Sequence, residues 1–391
     1  MEFNVDIAHD LDASSDAPPK YKQIADMLRA KISSSEYPSG DKLPSDSELS
    51  KHFNSSRLTV IRALRQLESE GLVERKAGSG TYVGVQRNDS AHSFGLLFPN
   101  LGEGEIFEPI CAGLARAGKS SQQALIWGNT SNASANKEAQ ALELCNSFIA
   151  RRVDGVFFAP LELTSHTAEI NQQIVNRLDE SGIPIVLLDR SIQPFPEPTQ
   201  HDLVGIDNWR EGCRMAKYLL DLGCERLGFV GLPGSAPTVN ARIAGLSEAL
   251  RQHGSGMSPE CVLMADLTDL DTVQRWLKTV RPEGVLCATD YTAGLLMHAL
   301  AKLGIAVPQE IRLVGFDDVR YASILPVPLT TLRQPCLEIG IAAMKAMLAR
   351  LEDPSMVPRT ISLDCELIVR VSCGANLNYS MSTNSGNLAA S

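Results

Sequence analysis

Hydrophobic positions in residues 20–83 first follow helical spacing and then alternate. Apolar residues recur every three or four positions in the first and third segments, which predicts helices that each bury one face. The residues that mark these faces are Tyr21, Ile24, Leu28 and Ile32, followed by Val60, Ala63, Leu64 and Leu67. Residues 72–75 and 81–83 alternate like two strands around Gly78-Ser79-Gly80, which predicts a hairpin.

Polar and small residues divide the helical part into three. Pro38 and Gly40 end the first helix, and Ser45 with Glu48 three residues later forms a capping-box pattern that starts the second. Asn54-Ser55-Ser56 separates the second helix from the third, and Gly71 ends the third. Three helices followed by a hairpin predict a winged helix-turn-helix of the α+β class.

The third helix carries the chemistry of a DNA-reading element. Ser55, Ser56, Arg57 and Thr59 cluster at its N-terminal end. A helix fits into a major groove, and its free N-terminal amides favour phosphate. Arg57 can bond twice to a guanine edge.

From residue 93 onward, short apolar runs alternate with helical stretches. The runs are 94–98, 124–129, 155–160, 183–189, 203–207, 226–231, 284–289 and 312–318. This alternation predicts an α/β domain with parallel sheets covered on both faces. The proline-rich stretch 193–201 interrupts the series, which predicts two lobes with Rossmann-like sheets. Carboxyl ends of their strands would converge on one ligand cleft.

These patterns predict a domain organisation. The predicted parts are an acidic disordered tail (1–17), the winged helix-turn-helix (18–84), a linker (85–92), a two-lobed ligand-sensing domain (93–374) and a disordered tail (375–391). Lobe one is expected at about 93–190 plus 335–353, and lobe two at about 203–318 plus 358–374.

Charge is distributed unevenly over these parts. The chain has a net charge of −10, of which residues 1–17 hold −5 and residues 86–391 hold −8, whereas residues 18–85 hold +3. Attraction to phosphate is therefore expected to be local and to weaken steeply with salt. No apolar run approaches membrane length, and the N-terminus lacks signal-peptide features, so a cytoplasmic location is expected.

Motifs for catalysis are missing from the sequence. It contains no G-x-S-x-G, P-loop or H-E-x-x-H motif, no full dinucleotide fingerprint, and no metal-ligand spacing among its histidines. The nine cysteines form no C-x-x-C pair and are interpreted as small core residues. We therefore expect no enzyme activity, no cofactor and no metal.

Several motifs in residues 20–83 resemble GntR-type bacterial repressors. They are LPSDSEL, SSRLTVIRAL, LESEGLVER and GSGTYV, in the family's order. The resemblance implies DNA contacts by Ser47, Ser56, Arg57 and Thr59, with Gly78 and Gly80 in the wing. Members usually carry a basic residue after the Thr-Val pair, but here Ile61 stands there and the arginine is Arg62. Arg62 either contacts a flanking phosphate or only solvates the helix.

A second resemblance covers about residues 93–374. The motifs LLDRSI, VGIDNWREG, LGFVG, ATDYTAGLLMHAL, VGFDD and LTTLRQP are similar to sensor domains of LacI/GalR-type repressors. By this resemblance the effector cleft would be lined by Phe107, Arg190, Arg242, Asp290, Asp317 and Gln334. Together the two domains are similar in build to bacterial arabinose repressors.

Carboxylates, arginine and an aromatic ring suit a polyol or sugar. Structural alternatives stay open at this point. Asp290 and Asp317 could only meet solvent at strand ends, Arg190 could be an ion-pair partner, and Phe107 could be core. Asp189 is interpreted as structural.

The resemblances imply a ligand-responsive transcriptional repressor. It would bind pseudo-palindromic operator DNA as a homodimer through the sensor domain, with a small carbohydrate as effector and no membrane partner. Alternatives are a regulator of this build controlled by a partner protein or a non-sugar metabolite, and a cytoplasmic sugar-binding enzyme. Effector identity, operator sequence and the direction of the response are not readable from the sequence.

Overall fold

The computed structural model describes residues 18–33, 36–37, 40–69, 72–76, 79–83, 92–98, 106–120, 123–127 and 136–375. The chain divides into two compact units, residues 1–90 and 91–391. Predictions for the tails at 1–17 and 376–391, and for linker residues 85–91, fall outside the described part.

Three helices and a hairpin build the first unit. Their bounds are α1 Lys20–Ser33, α2 Asp46–His52, α3 Arg57–Ser69, β1 Val73–Lys76 and β2 Gly80–Val83. The two strands are antiparallel, with Val73 opposite Val83. The predicted order of elements is confirmed.

The apolar faces and the cap of this unit are also as predicted. Ile24, Leu28, Leu64 and Leu67 are buried in one cluster. At the start of α2 the Glu48 amide donates to Ser45 Oγ (3.3 Å), and the Ser45 amide donates to Glu48 Oε2 (2.7 Å). This reciprocal cap satisfies two amides that a helix start leaves unpaired.

The second unit contains two six-stranded sheets, one in each lobe. The strands of lobe one run in the order β13-β7-β6-β5-β3-β4, and all neighbours are parallel. Their bounds are β3 Ser93–Leu97, β4 Ala124–Trp127, β5 Gly155–Phe158, β6 Ile185–Leu188, β7 Asp202–Ile206 and β13 Thr360–Leu363. Lobe-one helices are α4 Phe107–Ser120, α5 Lys137–Arg151, α6 Thr167–Glu180 and α11 Cys336–Glu352.

Lobe two repeats this plan. Its strands run in the order β14-β12-β11-β10-β8-β9, parallel except for the edge strand β14, which is antiparallel to β12. Their bounds are β8 Leu227–Gly231, β9 Val262–Met264, β10 Gly284–Cys287, β11 Arg312–Asp317, β12 Thr330–Arg333 and β14 Glu366–Ile368. The helices are α7 Asn208–Asp221, α8 Pro237–Gln252, α9 Leu270–Val280 and α10 Asp290–Lys302, with short 3-10 turns at Pro259–Cys261 and Arg320–Ser323.

Continuous apolar strands are buried on both faces of the lobe-one sheet. Phe157 joins the cluster that includes Ile110 of α4, whereas its neighbour Phe158 joins the cluster that includes Phe148 of α5. Successive side chains of a strand point to opposite faces, so the apolar run fills two cores. Eight of the nine cysteines are buried and Cys261 is half-buried, which confirms their interpretation as core residues.

The predicted lobe boundaries need two corrections. Residues 203–206 and 360–363 were expected in lobe two, but β7 pairs with β6 and β13 pairs with β7, so both strands extend the lobe-one sheet. The proline-rich stretch 193–201 is therefore a loop within lobe one. The chain crosses between lobes at 207, at 334–335 and at 364–365. The lobe to which β7 and β13 belong follows from their backbone pairing. The apolar pattern of a strand does not show which strand it pairs with.

No helix in the described ranges is both long and apolar enough to cross a bilayer.

Candidate DNA interface and ligand cleft

The N-terminal end of α3 is fixed by two of the predicted DNA-contact residues. The Thr59 amide donates to Ser56 Oγ (3.2 Å), and the hydroxyls of Ser56 and Thr59 lie 2.7 Å apart. Ser56 thus caps the helix, while the side chain of Arg57 is exposed beside it. The arrangement presents one guanidinium at a positively polarised helix end.

Arg62 makes a contact that neither of its two predicted roles, binding a flanking phosphate or solvating the helix, included. Its guanidinium carbon lies 4.1 Å from the ring centroid of Tyr21 in α1, a cation–π contact. The residue remains exposed, so the contact positions its charge on the surface. Ile61, at the place where the family usually has a basic residue, is half-buried.

The wing and α2 hold the remaining predicted residues. Ser47 is exposed in the first turn of α2, and Gly80 begins β2 with a φ of +125°, a conformation that favours glycine. A Cβ at Gly80 would lie 2.6 Å from Lys42 Cε, so the glycine also admits this lysine. Gly78 lies outside the described residues. Lys42, directly before the LPSDSEL motif, is not among the predicted DNA-contact residues.

An ion pair joins the wing to α2. Arg75 in β1 donates through Nη2 to both carboxylate oxygens of Asp46 (2.9 and 2.8 Å). Because both side chains are partly shielded from solvent, the pair orients the hairpin more firmly than an exposed one would. The two residues are 29 positions apart, and no local pattern predicts their contact.

A cavity of about 810 Å³ lies between the two lobes, at the carboxyl ends of their strands. Five of the six predicted ligand residues line it, and these are Phe107, Arg190, Arg242, Asp317 and Gln334. They come from both lobes and from the crossover after β12. Its position is that expected for ligands of parallel sheets.

Arg190 is the cation of a buried charge cluster in lobe one. Its side chain forms an ion pair with Glu162, and its Nε donates to Asp189 Oδ2 (3.0 Å). Burial alone would lower the pKa of Arg190, but the charges of Glu162 and Asp189 outweigh this effect and raise it. Its guanidinium also lies 5.5 Å from the ring centroid of Phe107. The positive charge is therefore already compensated before any ligand binds.

Arg242 is buried in lobe two by three contacts. Its Nε donates to Asn208 Oδ1 (2.8 Å), its Nη1 donates to the Ala288 carbonyl, and its guanidinium lies 4.2 Å from the Phe316 ring centroid. Asn208 belongs to α7 and Ala288 follows β10. Arg242 thus lines the cavity and also joins helices and sheet of its lobe.

Asp317 faces the cavity at the end of β11. Gln334 Nε2 donates to its Oδ1 (2.8 Å). Burial raises the pKa of Asp317 to about 7, and the charges of Asp189 and Glu162 add to this, while Arg242 and the Gln334 hydrogen bond act against it. The carboxyl therefore titrates near neutral pH.

Asp290 was predicted to bind ligand, and the structure corrects this. Its side chain is fully buried and does not line the cavity. Thr331 Oγ1 donates to Oδ1 (2.6 Å), and the Val319 amide donates to Oδ2 (3.1 Å), so the carboxyl ties α10 to two neighbouring segments. Burial and the charge of Asp317 raise its pKa well above the usual range. Its neighbour Thr289 lines the cavity instead.

Two cavity-lining acceptors have no hydrogen-bond partner within the described residues. They are Asp189 Oδ1 and Gln334 Oε1, and both residues are more than nine-tenths buried. Because a buried polar atom without a partner is costly, these atoms indicate where donors of a ligand fit. Asp189 is interpreted from the sequence as structural, since it lies on the apolar side of its strand end, whereas the structure places it in the cavity lining.

Contacts between the lobes border the cavity. The Ala236 amide of lobe two donates to Glu162 Oε2 of lobe one (3.2 Å), and the Leu163 amide donates to the Gly234 carbonyl (2.8 Å). Glu162 therefore connects the Arg190 cluster to lobe two. The pKa of Glu162, which burial would raise, is lowered because the charge and hydrogen bonds of Arg190 outweigh burial.

Both units match known protein families. Residues 20–83 match the family of bacterial regulatory proteins named gntR, and residues 216–373 match the periplasmic binding protein-like domain. The chain is also 29% identical over 350 residues to the arabinose metabolism transcriptional repressor of Halalkalibacterium halodurans, covering 85% of this chain and 89% of the relative.

The chain is a ligand-responsive transcriptional regulator.

A second relative of the regulator agrees. The arabinose metabolism transcriptional repressor of Geobacillus stearothermophilus is 26% identical over 354 residues, covering 86% of the regulator and 93% of the relative. Both relatives extend over the DNA-binding and the sensor unit. They place the regulator among DNA-binding repressors and not among enzymes, as expected from the sequence.

Solved structures confirm the fold of the regulator. The CelR–cellobiose complex, described as a transcriptional regulator, has a TM-score of 0.61 at 19% identity and covers 91% of the regulator and 100% of its own chain. At this identity the likeness shows the fold alone, and nothing about the ligand.

Proposed function

We propose that the regulator is a cytoplasmic repressor that binds a pseudo-palindromic operator as a homodimer and is controlled by a small sugar in the interlobe cavity. The observation that carries the effector class is the pair of unpartnered acceptors, Asp189 Oδ1 and Gln334 Oε1. A polyol supplies hydroxyl donors for both acceptors. Two relatives of the regulator are repressors of arabinose metabolism, which supports the same class.

Charge balance in the cavity favours a neutral ligand over an anion. Arg190 is compensated by Glu162 and Asp189, and Arg242 lies near the Asp317 carboxyl, whose pKa the arginine charge lowers. A carboxylate or phosphate effector would need a cation free to pair with it, whereas hydroxyls need only acceptors and donors.

Aromatic rings offer a surface for the apolar face of a sugar ring. Phe107 and Tyr321 line the cavity, and Phe107 packs at 5.6 Å, centroid to centroid, against Phe98. A ring held in this way is a rigid platform. The cavity of about 810 Å³ is in the range of small-molecule sites.

Coupling to DNA follows from ligand contacts on both lobes. An effector that touches Asp189 in lobe one and Asp317 or Arg242 in lobe two stabilises the arrangement of lobes that satisfies all of them. In a two-fold dimer, a change of lobe placement alters the spacing of the two winged helices. A coupling of about 1–3 kcal/mol changes operator affinity roughly 5–150-fold.

Thermal unfolding with a small panel tests the effector class. The panel is arabinose, a hexose, a uronate and a nucleobase, each at one hundred times its Kd or at the solubility limit. A bound ligand at that excess adds about 2.7 kcal/mol, which raises Tm by roughly 5 °C in a domain of this size. The proposal predicts a shift with a neutral sugar. A shift with the uronate or nucleobase alone would refute it.

The proposed dimer has its own test. Light scattering coupled to size exclusion is expected to give twice the chain mass of 42.3 kDa at micromolar concentration. If the protein contributes the mass of only one chain to its complex with operator DNA, the proposed binding of a two-fold dimer is contradicted.

A further inference from the structure

The outer face of α3 carries an apolar patch where polar groups would be expected. Val60, Ala63 and Leu67 are buried and define the inner face of the helix. At about 100° per residue, Leu58 and Ile61 lie on the other side. Leu58 is 78% exposed and Ile61 is half-buried. Residues three apart on a helix are neighbours, with Cβ atoms about 5–6 Å apart, so the two side chains form one patch.

Cations surround this patch. Arg57, Arg62 and Arg65 are exposed on the same helix, and its first acid is Glu68 in the last turn. The exposed apolar side chains are poorly hydrated, and the cations around them attract phosphate, so the surface suits a groove edged by phosphates.

The apolar group that base edges present in a major groove is the C5-methyl of thymine. We propose that Leu58 and Ile61 read thymine methyls in the operator half-site. The inference rests on the proposed operator binding and adds which base the helix selects. Ile61 stands where GntR-type repressors usually carry a basic residue, so this chain offers an apolar group at that place.

Replacing thymine by uracil removes the methyl and leaves the base pair intact, so it isolates this contact. An operator duplex is selected from random DNA with the full-length protein, and each thymine of one half-site is then replaced singly. Fluorescence anisotropy gives the Kd of each duplex. One buried methyl is worth about 0.8 kcal/mol, so affinity is expected to fall about fourfold at one or two positions.

Alanine variants test whether Leu58 and Ile61 are the residues that contact the thymine methyl. In Leu58→Ala or Ile61→Ala, uracil at the affected position is expected to change affinity less than 1.5-fold, because the apolar partner is gone. Leu58 is exposed and alanine favours a helix, so the fold is retained. Val357→Ala is the matched control, since Val357 is an aliphatic residue of similar exposure (76%) in the other unit. It should keep the full fourfold cost.

Two results would overturn the inference. One is a uracil scan without any position that costs more than 1.5-fold. The other is an equal uracil cost in wild type and in both patch variants, since the methyl would then act through DNA shape or another residue. Failure to select any duplex would refute the proposed operator binding itself, whereas tight binding to a methyl-independent duplex would refute this inference alone.

Discussion

Replacing Asp189 by asparagine tests whether its unpartnered oxygen binds the effector. Asparagine has the same shape, and its Oδ1 can still accept from Arg190 Nε, as Asp189 Oδ2 does at 3.0 Å. That orientation places an amide donor where the free carboxylate oxygen lies. The φ of +65° at this position is tolerated by asparagine as well as by aspartate.

The size of the effect follows from the lost interaction. A hydrogen bond to a charged acceptor is worth about 1.5–3 kcal/mol, so effector affinity should fall roughly 10–150-fold. Stability should change little, because Arg190 keeps its ion pair with Glu162. Titration calorimetry with the sugar found in the thermal screen measures the affinity, and fluorescence anisotropy measures operator binding without sugar, which should be unchanged.

Asp353→Asn is the matched control, since Asp353 is exposed near the end of α11 and lies outside the cavity. It should leave effector affinity within twofold of wild type. The reasoning is refuted if Asp189→Asn also stays within twofold while both variants fold normally.

Three further predictions concern stability and its pH dependence. Arg242→Ala leaves two buried acceptors unpaired and should lower the free energy of unfolding by at least about 2 kcal/mol, measured by urea unfolding. Gly245→Ala places a Cβ 2.2 Å from the Trp209 carbonyl oxygen, so α7 and α8 must separate. The free energy of unfolding should fall by about 1–3 kcal/mol. An unchanged Tm would contradict this close packing. Asp317 has a folded pKa of about 7, above that of an unfolded aspartate, so the folded state binds more protons and its contribution to stability falls as pH rises from about 4 to 7. Urea unfolding at pH 5 and pH 8 should therefore show a smaller loss for Asp317→Asn than for wild type, and equal losses would contradict the assignment.

Local sequence patterns were sufficient for the first unit. The capping box at Ser45 and Glu48 and the apolar spacing of α1 and α3 involve residues within one helix turn of each other. Such features depend on short-range physics, and the structure reproduces them. The stacking of Arg62 on Tyr21 joins residues 41 positions apart, and no local pattern indicates it.

Strand pairing in the second unit could not be predicted from local sequence patterns either. Each strand was visible as an apolar run, but pairing of β7 with β6 and of β13 with β7 depends on backbone contacts across the lobe. A buried strand has the same apolar pattern in either lobe, so the sequence indicates a boundary at the proline-rich stretch, and the pairing shows that it lies elsewhere.

Motif position placed five of the six predicted ligand residues at the cavity and misplaced Asp290. Asp290 and Asp189 both follow apolar strands, yet Asp290 turns inward to Thr331 and Asp189 lines the cavity. Which way a strand-end carboxylate points is set by the neighbours that donate to it. For Asp290 that neighbour is Thr331, 41 positions away, and it becomes known only when the strands are assembled.

Operator affinity measured with and without effector tests the central claim most directly. A labelled operator duplex is titrated with the full-length protein by fluorescence anisotropy, in the absence of sugar and at saturating sugar, with Arg57→Ala as the variant expected to lose operator affinity in both conditions. A ligand-responsive regulator predicts a change of Kd of at least fivefold on adding the sugar. An identical Kd in both conditions, with the sugar shown to be bound, would contradict the account.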